Sequence, residues 1–391
     1  MIPYTELRKS QMRAKEVLQS LLGESPSACQ LRQTNTFDEL TGERDLVLFG
    51  AGGLGRKTLA ALRRDGIEPL AFADNKLAGS AVDGVHVISP LEAAQRWGKR
   101  AAFVVTIWAS WTDTMQAQVE ALSALGCKTV VSFIPLLWKY PDLLPHVQVD
   151  LPSRVLEQRD LVSQAFDLWS DDCSREEFVT QLRWRLWADF DGLSKPIQGQ
   201  YFQRDLIRLG NDAVFVDAGA FDGDTFAQFL SFTDGRFQSA YLFEPDQSNL
   251  RSLKERLSRM PEEIRKRVEI FEAAVGESEY RIGFNSGLGA SSAPGSGPDF
   301  VQCVSLDNAM SESPNLIKFD IEGFELLGLA GARRIIENHH PSLAVCAYHV
   351  QSHLWEIPLL IHSFNPTYQF YLRPHGQIWE TICYATSSPE A

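Results

Sequence analysis

Residues 213–225 read AVFVDAGAFDGDT. Val214, Phe215 and Val216 give a short buried-strand signal. Asp217-Ala218-Gly219-Ala220-Phe221-Asp222-Gly223 then breaks that signal with small and acidic residues, just ahead of a helical TFAQFLSF. This is a strand–turn–helix unit at the head of a doubly wound α/β sheet. Its turn lacks bulky side chains, so a nucleoside-like ligand can approach the backbone at the carboxyl end of the strand. Asp217 and Asp222 oppose a pyrophosphate, which prefers bare amides at a helix N-terminus, and favour a cationic or zwitterionic ligand. The candidate ligand contacts on this turn are Asp217, Ala218, Gly219, Ala220, Asp222, Gly223 and Thr225.

At 391 residues the chain suits two domains, and its 37 basic and 50 acidic residues give a net charge of −13. The imbalance is concentrated late. Through residue 198 there are 22 basic and 25 acidic residues, and beyond it 15 and 25, so the C-terminal part carries −10. That argues against a polyanionic substrate, because RNA or DNA needs a basic face. The six cysteines are scattered without a CxxC pair and read as reduced thiols rather than a disulfide framework or zinc site. MIPYTELRKSQMRAKEVLQSLL is a charged amphipathic helix pattern without a signal-peptide core. No stretch reaches the ~20 apolar residues of a membrane span, so a soluble, cytoplasmic protein is expected.

Upstream, strand LVLF runs into Gly50-Ala51-Gly52-Gly53-Leu54-Gly55, and Asp74 lies 19 residues beyond Gly55, close to the ~20 of a dinucleotide fingerprint. Alternating strands and helices make 1–148 a small Rossmann-like domain. It either binds a nucleotide or nucleotide sugar, or serves as a docking or dimerisation module. The domain resembles those found ahead of bacterial sugar-modifying enzymes. Residues 149–198 read as a helical connector in which Trp169, Trp184 and Trp187 are chiefly core residues.

From residue 199 the alternation continues. Strand AYLFEPD ends in Glu244-Pro245, with Glu244 21 residues beyond Gly223, where a carboxylate can accept two ribose hydroxyls. A third strand over 268–276 carries Ala273, Ala274 and Val275 towards an adenine. Strands YRIGF and FVQCVSLD flank the Gly/Ser/Pro-rich loop 285–299. NLIKFDIEGFE places Lys318, Asp320 and Glu322 two apart, on one face if the strand runs through them. Such a face is costly unless its charges are paired or used. A further strand ends in Tyr348-His349, making His349 a candidate base opposite Asp320.

VDAGAFDGDT, YLFEPD, AAVG, SLD, IKFDIEGFE and YHVQSHLWEIP, with QYF at 200–202 as lead-in, occur in that order. As an ordered series they resemble the FkbM family of S-adenosylmethionine-dependent methyltransferases over residues 199–388. The resemblance implies a seven-stranded class I sheet and O-methylation of a hydroxyl on a sugar, glycolipid, surface glycan or polyketide-like small molecule. It implies that Asp217, Gly219 and Gly223 enclose the amino-acid part of the cofactor, that Glu244 holds the ribose, and that Ala273–Val275 lie by the adenine. Lys318, Asp320, Glu322 and His349 then stand where the acceptor is activated. Where the family often has an acidic residue just before LWEIP, this chain has His353. A metal-free mechanism is favoured over a divalent cation on Asp320, Glu322 and His349, because Lys318 would repel the ion. The competing reading is a non-catalytic cofactor- or nucleotide-sugar-binding partner in glycan synthesis, or an oligomer joined through the N-terminal domain.

Overall fold

The structure is a computed structural model that describes residues 14–107, 115–142, 144, 148–190, 192–287, 292–295, 297–376 and 378–387. The first half of the N-terminal amphipathic pattern, residues 1–13, lies outside them, as do residues 288–291 and 296 of the Gly/Ser/Pro-rich loop. The chain forms two compact units, Met1–Arg159 with Val179–Leu193, and Asp160–Phe178 with Ser194–Ala391.

In the first unit, strands β1 (Leu46–Phe49), β2 (Ala71–Ala73), β3 (Ala81–Val82), β4 (Val85–Ile88), β5 (Ala102–Val105) and β6 (Thr129–Ser132) form one sheet. Its order is β3-β4-β2-β1-β5-β6, parallel except for the β3–β4 hairpin. The short apolar runs of β1, β2 and β5 are buried almost throughout, as strands covered on both faces must be. Gly50-Ala51-Gly52 leads β1 into the helix Gly53–Arg64. A Cβ on Gly55 would lie 2.1 Å from the Gly50 carbonyl oxygen, so helix and strand approach as closely as glycine allows. Trp184 is fully buried in this unit, and Arg32 stacks 3.7 Å above the Trp187 ring, so both indoles are spent on packing.

The second unit holds β7 (Val214–Ala218), β8 (Ser239–Phe243), β9 (Val268–Phe271), β10 (Ala274–Val275), β11 (Tyr280–Asn285), β12 (Ala293–Pro294), β13 (Asp299–Val304), β14 (Leu316–Phe319), β15 (Ser342–Cys346), β16 (Tyr368–Pro374) and β17 (Thr381–Ser387). Seven of these make a sheet in the order β16-β17-β15-β14-β7-β8-β9, with β17 antiparallel to both neighbours. The chain winds outward from β7 through β8 to β9 and then returns to the other side of β7 as β14. The switch point, where open α/β sheets bind ligands, is therefore the carboxyl end of β7 and β14.

Phe202, Phe215, Phe226, Phe229 and Phe237 fill one side of this sheet, with Phe215 and Phe229 stacked at 4.6 Å. Each ring fully removed from water stabilises the fold by about 1.5–3 kcal/mol, and Phe215 belongs to the same strand as Asp217, so this packing fixes the strand that carries the site. Two strand expectations change. The expected third strand ends at Phe271; Lys254 pairs with Glu272 at its end, and Ala274–Val275 pair instead with β13 in a separate four-stranded sheet, β10-β13-β11-β12. Likewise β14 stops at Phe319 and β15 at Cys346, so Asp320, Glu322 and His349 stand on the turns beyond the strands.

Candidate active site

The switch point gathers charge in an otherwise apolar setting. Lys318 on β14 is in register with Asp217 on β7, so the two side chains emerge side by side. Lys318 Nζ lies 2.8 Å from Asp217 Oδ1, donates to the Gly219 carbonyl at 2.5 Å and lies 3.8 Å from Asp320 Oδ2. Both partners are almost wholly buried. Burial pushes the Asp217 carboxyl up, against the pull of Lys318. Burial also drags on the Lys318 ammonium, but Asp217 and Asp320 outweigh it and hold that group charged. Among the described residues, no group donates a hydrogen bond to the buried Asp217 Oδ2.

The turn after β7 needs its glycines. Gly219 has φ +88°, and a Cβ there would lie 1.9 Å from the Asp320 carbonyl oxygen. Gly219→Ala is therefore expected to lower stability by about 2–5 kcal/mol, from left-handed strain and overpacking together. A urea midpoint shift equivalent to under about 1 kcal/mol would contradict this.

Glu244 ties this turn to the next one. Its Oε2 accepts from the Phe221 amide at 2.8 Å, and its Oε1 accepts from the Asp246 amide at 2.8 Å and from Asn249 Nδ2 at 3.2 Å. Since each carboxylate oxygen can accept two donors, Oε2 keeps one direction free. Burial raises the Glu244 carboxyl against those bonds. Asp246 caps the following helix and accepts from the Gly287 amide and Ser292 Oγ, which pins the start of the Gly/Ser/Pro-rich loop and a residue beyond its undescribed stretch.

Asp222 does not join Asp217. Its Oδ2 pairs with Arg256 Nη2 at 2.6 Å and its Oδ1 caps the Asp224 amide, so it anchors the helix and is already neutralised. Of the two acids, Asp222 is thus turned to Arg256, while Asp217 stays at the switch point beside Lys318. Ala218, Ala220 and Thr225 are buried in and beside the turn, and Pro245 is half-buried next to Glu244.

Beyond β14 a second group of charges forms around His349, which is 3% exposed. His349 Nδ1 lies 2.7 Å from Glu325 Oε1, and its Nε2 lies 3.4 Å from Asp320 Oδ1 and 3.7 Å from Glu322 Oε1. Burial lowers the imidazolium's stability, but Glu325, then Glu322 and Asp320, raise its pKa to about 10. Asp320 Oδ2 accepts from Tyr201 Oη at 2.9 Å. Burial lifts Glu322 to about 7 in spite of His349. Glu380, held by Gln200 Nε2 at 2.7 Å, is lifted to about 7 by burial and by Asp320. Tyr201, Phe221, Glu322 and Glu380 all have positive φ, from 48° to 66°. Such backbone costs about 1–3 kcal/mol per residue and collects where function requires it.

The strand ends and turns thus bring Asp217, Lys318, Asp320, Glu322 and His349 together, while Ala274–Val275, with Ala273 just ahead of them, stand on the smaller sheet. Tyr201, Glu325 and Glu380 also face this cluster. Tyr201 lies in the QYF lead-in and Glu325 closes the IKFDIEGFE motif, although neither stood out there as a site residue, whereas Glu380 carried no signal. Among the described residues, the side chains whose ligand atoms approach within 4.8 Å of one another as a metal site would require are Asp320, Cys346 and His349, without Glu322. Burial holds the Cys346 thiol well above its ordinary range, and Lys318 stands beside Asp320, so neither favours a cation.

In the first unit, Asp74 Oδ2 accepts from the Ala51 amide at 3.0 Å, and its Oδ1 accepts from Lys76 and Leu77 at 2.8 and 3.1 Å. That carboxylate staples the glycine turn to the end of β2.

A sheet of this order defines a doubly wound, Rossmann-like fold, and the family follows from direct comparison. Residues 217–382 match the model of the methyltransferase FkbM domain, so this chain carries an FkbM-family methyltransferase domain. A crystal structure of methyltransferase FkbM from Methylobacillus flagellatus KT shares the fold over 95% of this chain and 99% of its own, at 23% identity and a TM-score of 0.76. An rRNA methylase from Streptococcus thermophilus, 16% identical, covers 46% of this chain and 90% of its own at a TM-score of 0.30. A precorrin-6y C5,15-methyltransferase from Geobacter metallireducens GS-15, 12% identical, covers 51% and 95% at 0.30. No curated protein matches the chain. Among the described residues no helix is long and apolar enough to cross a membrane.

Proposed function

We propose that the second unit is an S-adenosylmethionine-dependent O-methyltransferase acting on a hydroxyl of a sugar, surface glycan or polyketide-like small molecule. When bound, S-adenosylmethionine supplies a methyl group on a sulfonium and departs as the thioether. The residues present fit it. Asp217 Oδ2 is a buried acceptor without a donor among the described residues, suited to an ammonium, and Glu244 Oε2 keeps an acceptor direction for a ribose hydroxyl. In this reading Gly219 and Gly223 keep the turn open beside them, and Ala273–Val275 border the base.

The observation that carries the reading is the setting of Asp320. Its side chain is 27% exposed, and Tyr201 Oη and Lys318 Nζ orient Oδ2 while Oδ1 faces His349. A carboxylate so held is a general base for a hydroxyl proton, taken up as the acceptor oxygen forms its bond to carbon. His349 Nε2–H then orients the acceptor as a donor rather than accepting its proton. Glu322 and Glu380 offer acceptor oxygens to further hydroxyls, which suits a polyol.

Titration calorimetry with S-adenosylhomocysteine should show binding that Asp217→Asn weakens. Mass spectrometry of cell-surface glycans with and without this protein should differ by one CH₂. Absence of cofactor binding would remove the proposal; binding without transfer to any sugar acceptor would turn it towards the non-catalytic partner.

A further inference from the structure

Glu325 opens the helix Glu325–Ala330, where an acidic first-turn residue ordinarily faces water. Here it is fully buried. Its Oε1 accepts from the Ile321 amide at 3.0 Å and meets His349 Nδ1 at 2.7 Å, while His353 Nδ1 lies 3.0 Å from Oε2. One carboxylate therefore fixes both the turn that carries Glu322 and the ring that faces Asp320.

The geometry also bears on the proton count of His349. A neutral ring protonated on Nδ1 would aim its Nε2 lone pair at Asp320 Oδ1 and Glu322 Oε1. A neutral ring protonated on Nε2 would aim its Nδ1 lone pair at Glu325 Oε1, 2.7 Å away. With the facing carboxylates ionised, only the ring protonated on both nitrogens puts no lone pair against an oxygen.

We propose that Glu325 is a positioning residue for methyl transfer, holding His349 as a donor through both ring nitrogens so that it orients the acceptor and leaves proton removal to a carboxylate. The inference rests on the methyltransferase reading for its consequence, though not for the state of the histidine. The groups facing His349 are Glu325 and, behind it, His353 from two helices, Asp320 and Glu322 from the turn after β14, Cys346 at the end of β15, and Glu380 ahead of β17. The Tyr348 ring lies 4.2 Å away, and Lys318 reaches Asp320 from β14.

The test follows the His349 imidazole by NMR in the histidine-labelled full chain, assigned with His349→Gln. In the unsubstituted protein the ring should stay protonated through pH 8, in keeping with a value of about 10. In Glu325→Gln its midpoint should fall by about 1–3 pH units, the usual effect of losing an adjacent opposite charge. With that variant kcat should fall about 100-fold while cofactor affinity holds, and the alkaline limb of the pH–rate profile should move towards neutrality.

The linkage sign is fixed. His349 is raised above its unfolded value of about 6.5, so its stabilisation is complete below that pH and is lost as pH climbs through about 10. A neutral His349 at pH 7 in the unsubstituted protein overturns the proposal, and that measurement decides even if Glu325→Gln fails to fold. An unchanged midpoint in a folded Glu325→Gln overturns it equally. Failure of the methyltransferase reading looks different: no cofactor binding and no transfer, with His349 still protonated.

Discussion

Replacing Lys318 by methionine is expected to cost about 3–5 kcal/mol of stability at pH 8, because it strands a buried carboxylate. Asp217 is wholly buried, and its Oδ1 lies 2.8 Å from Lys318 Nζ. Methionine keeps much of the lysine stem's volume, so the loss is one of charge rather than of packing. Without Lys318, burial, joined by the charges of Asp224 and Asp320, raises the Asp217 pKa further above its unfolded value. A carboxyl raised in this way leaves stability intact below its unfolded value and lowers it progressively as pH rises from there through the folded value. The defect should therefore shrink from pH 8 to pH 5. Lys318→Met combined with Asp217→Asn should recover most of the loss, since an amide leaves no buried charge. Urea titrations of the single and double variants at both pH values check this. A single-variant loss below about 1 kcal/mol, or one equal at both pH values, would show that the pair does not bolt β14 to β7.

The part of this arrangement legible in sequence is the part that lies within single strands and turns. The apolar runs ending in Asp217 and Glu244 announce strands because buried parallel strands are continuously apolar, and the glycines after Asp217 announce a turn that other residues would strain. Lys318 two residues before Asp320 likewise signals charge at a strand end. The register that sets Lys318 against Asp217 belongs to the sheet, and nothing near either residue specifies it. The pairing of Asp222 is illegible locally for a related reason: its partner, Arg256, lies 34 residues further along.

Glu325 was hidden more deeply, because GFELL reads as an ordinary amphipathic helix start, and only the return of the chain through His349 and His353 buries that carboxylate. The left-handed backbone at Tyr201, Glu322 and Glu380 has no local signature either, since none is glycine or asparagine. Local patterning thus specifies where a site can form, and long-range closure decides which side chains share it.

Asp320→Asn should reduce kcat for methyl transfer by about 10²–10⁴-fold, the range associated with a positioned general base. Asparagine keeps the side chain's shape and can still accept from Tyr201 Oη and face Lys318, both of which contact Oδ2. It cannot take up a proton from an acceptor hydroxyl. The turn from Asp217 to Gly223 meets residue 320 through backbone, with the Asp320 amide donating to the Ala218 carbonyl at 3.0 Å, and the substitution leaves that bond intact. Cofactor affinity should accordingly change far less than kcat, which separates loss of chemistry from loss of binding. Glu322→Gln is the informative companion, because Glu322 is equally exposed, lies 3.7 Å from the same His349 nitrogen and is raised to about 7 by burial. If Glu322→Gln abolishes turnover while Asp320→Asn retains it, the proton passes to Glu322 and Asp320 becomes an anchor for Tyr201 and Lys318. If both variants turn over fully with cofactor bound, neither carboxylate is the base. Loss at Asp320 with a smaller loss at Glu322 matches the geometry, because Asp320 alone is gripped on one oxygen by Tyr201 and Lys318 while its other oxygen faces the protonated ring.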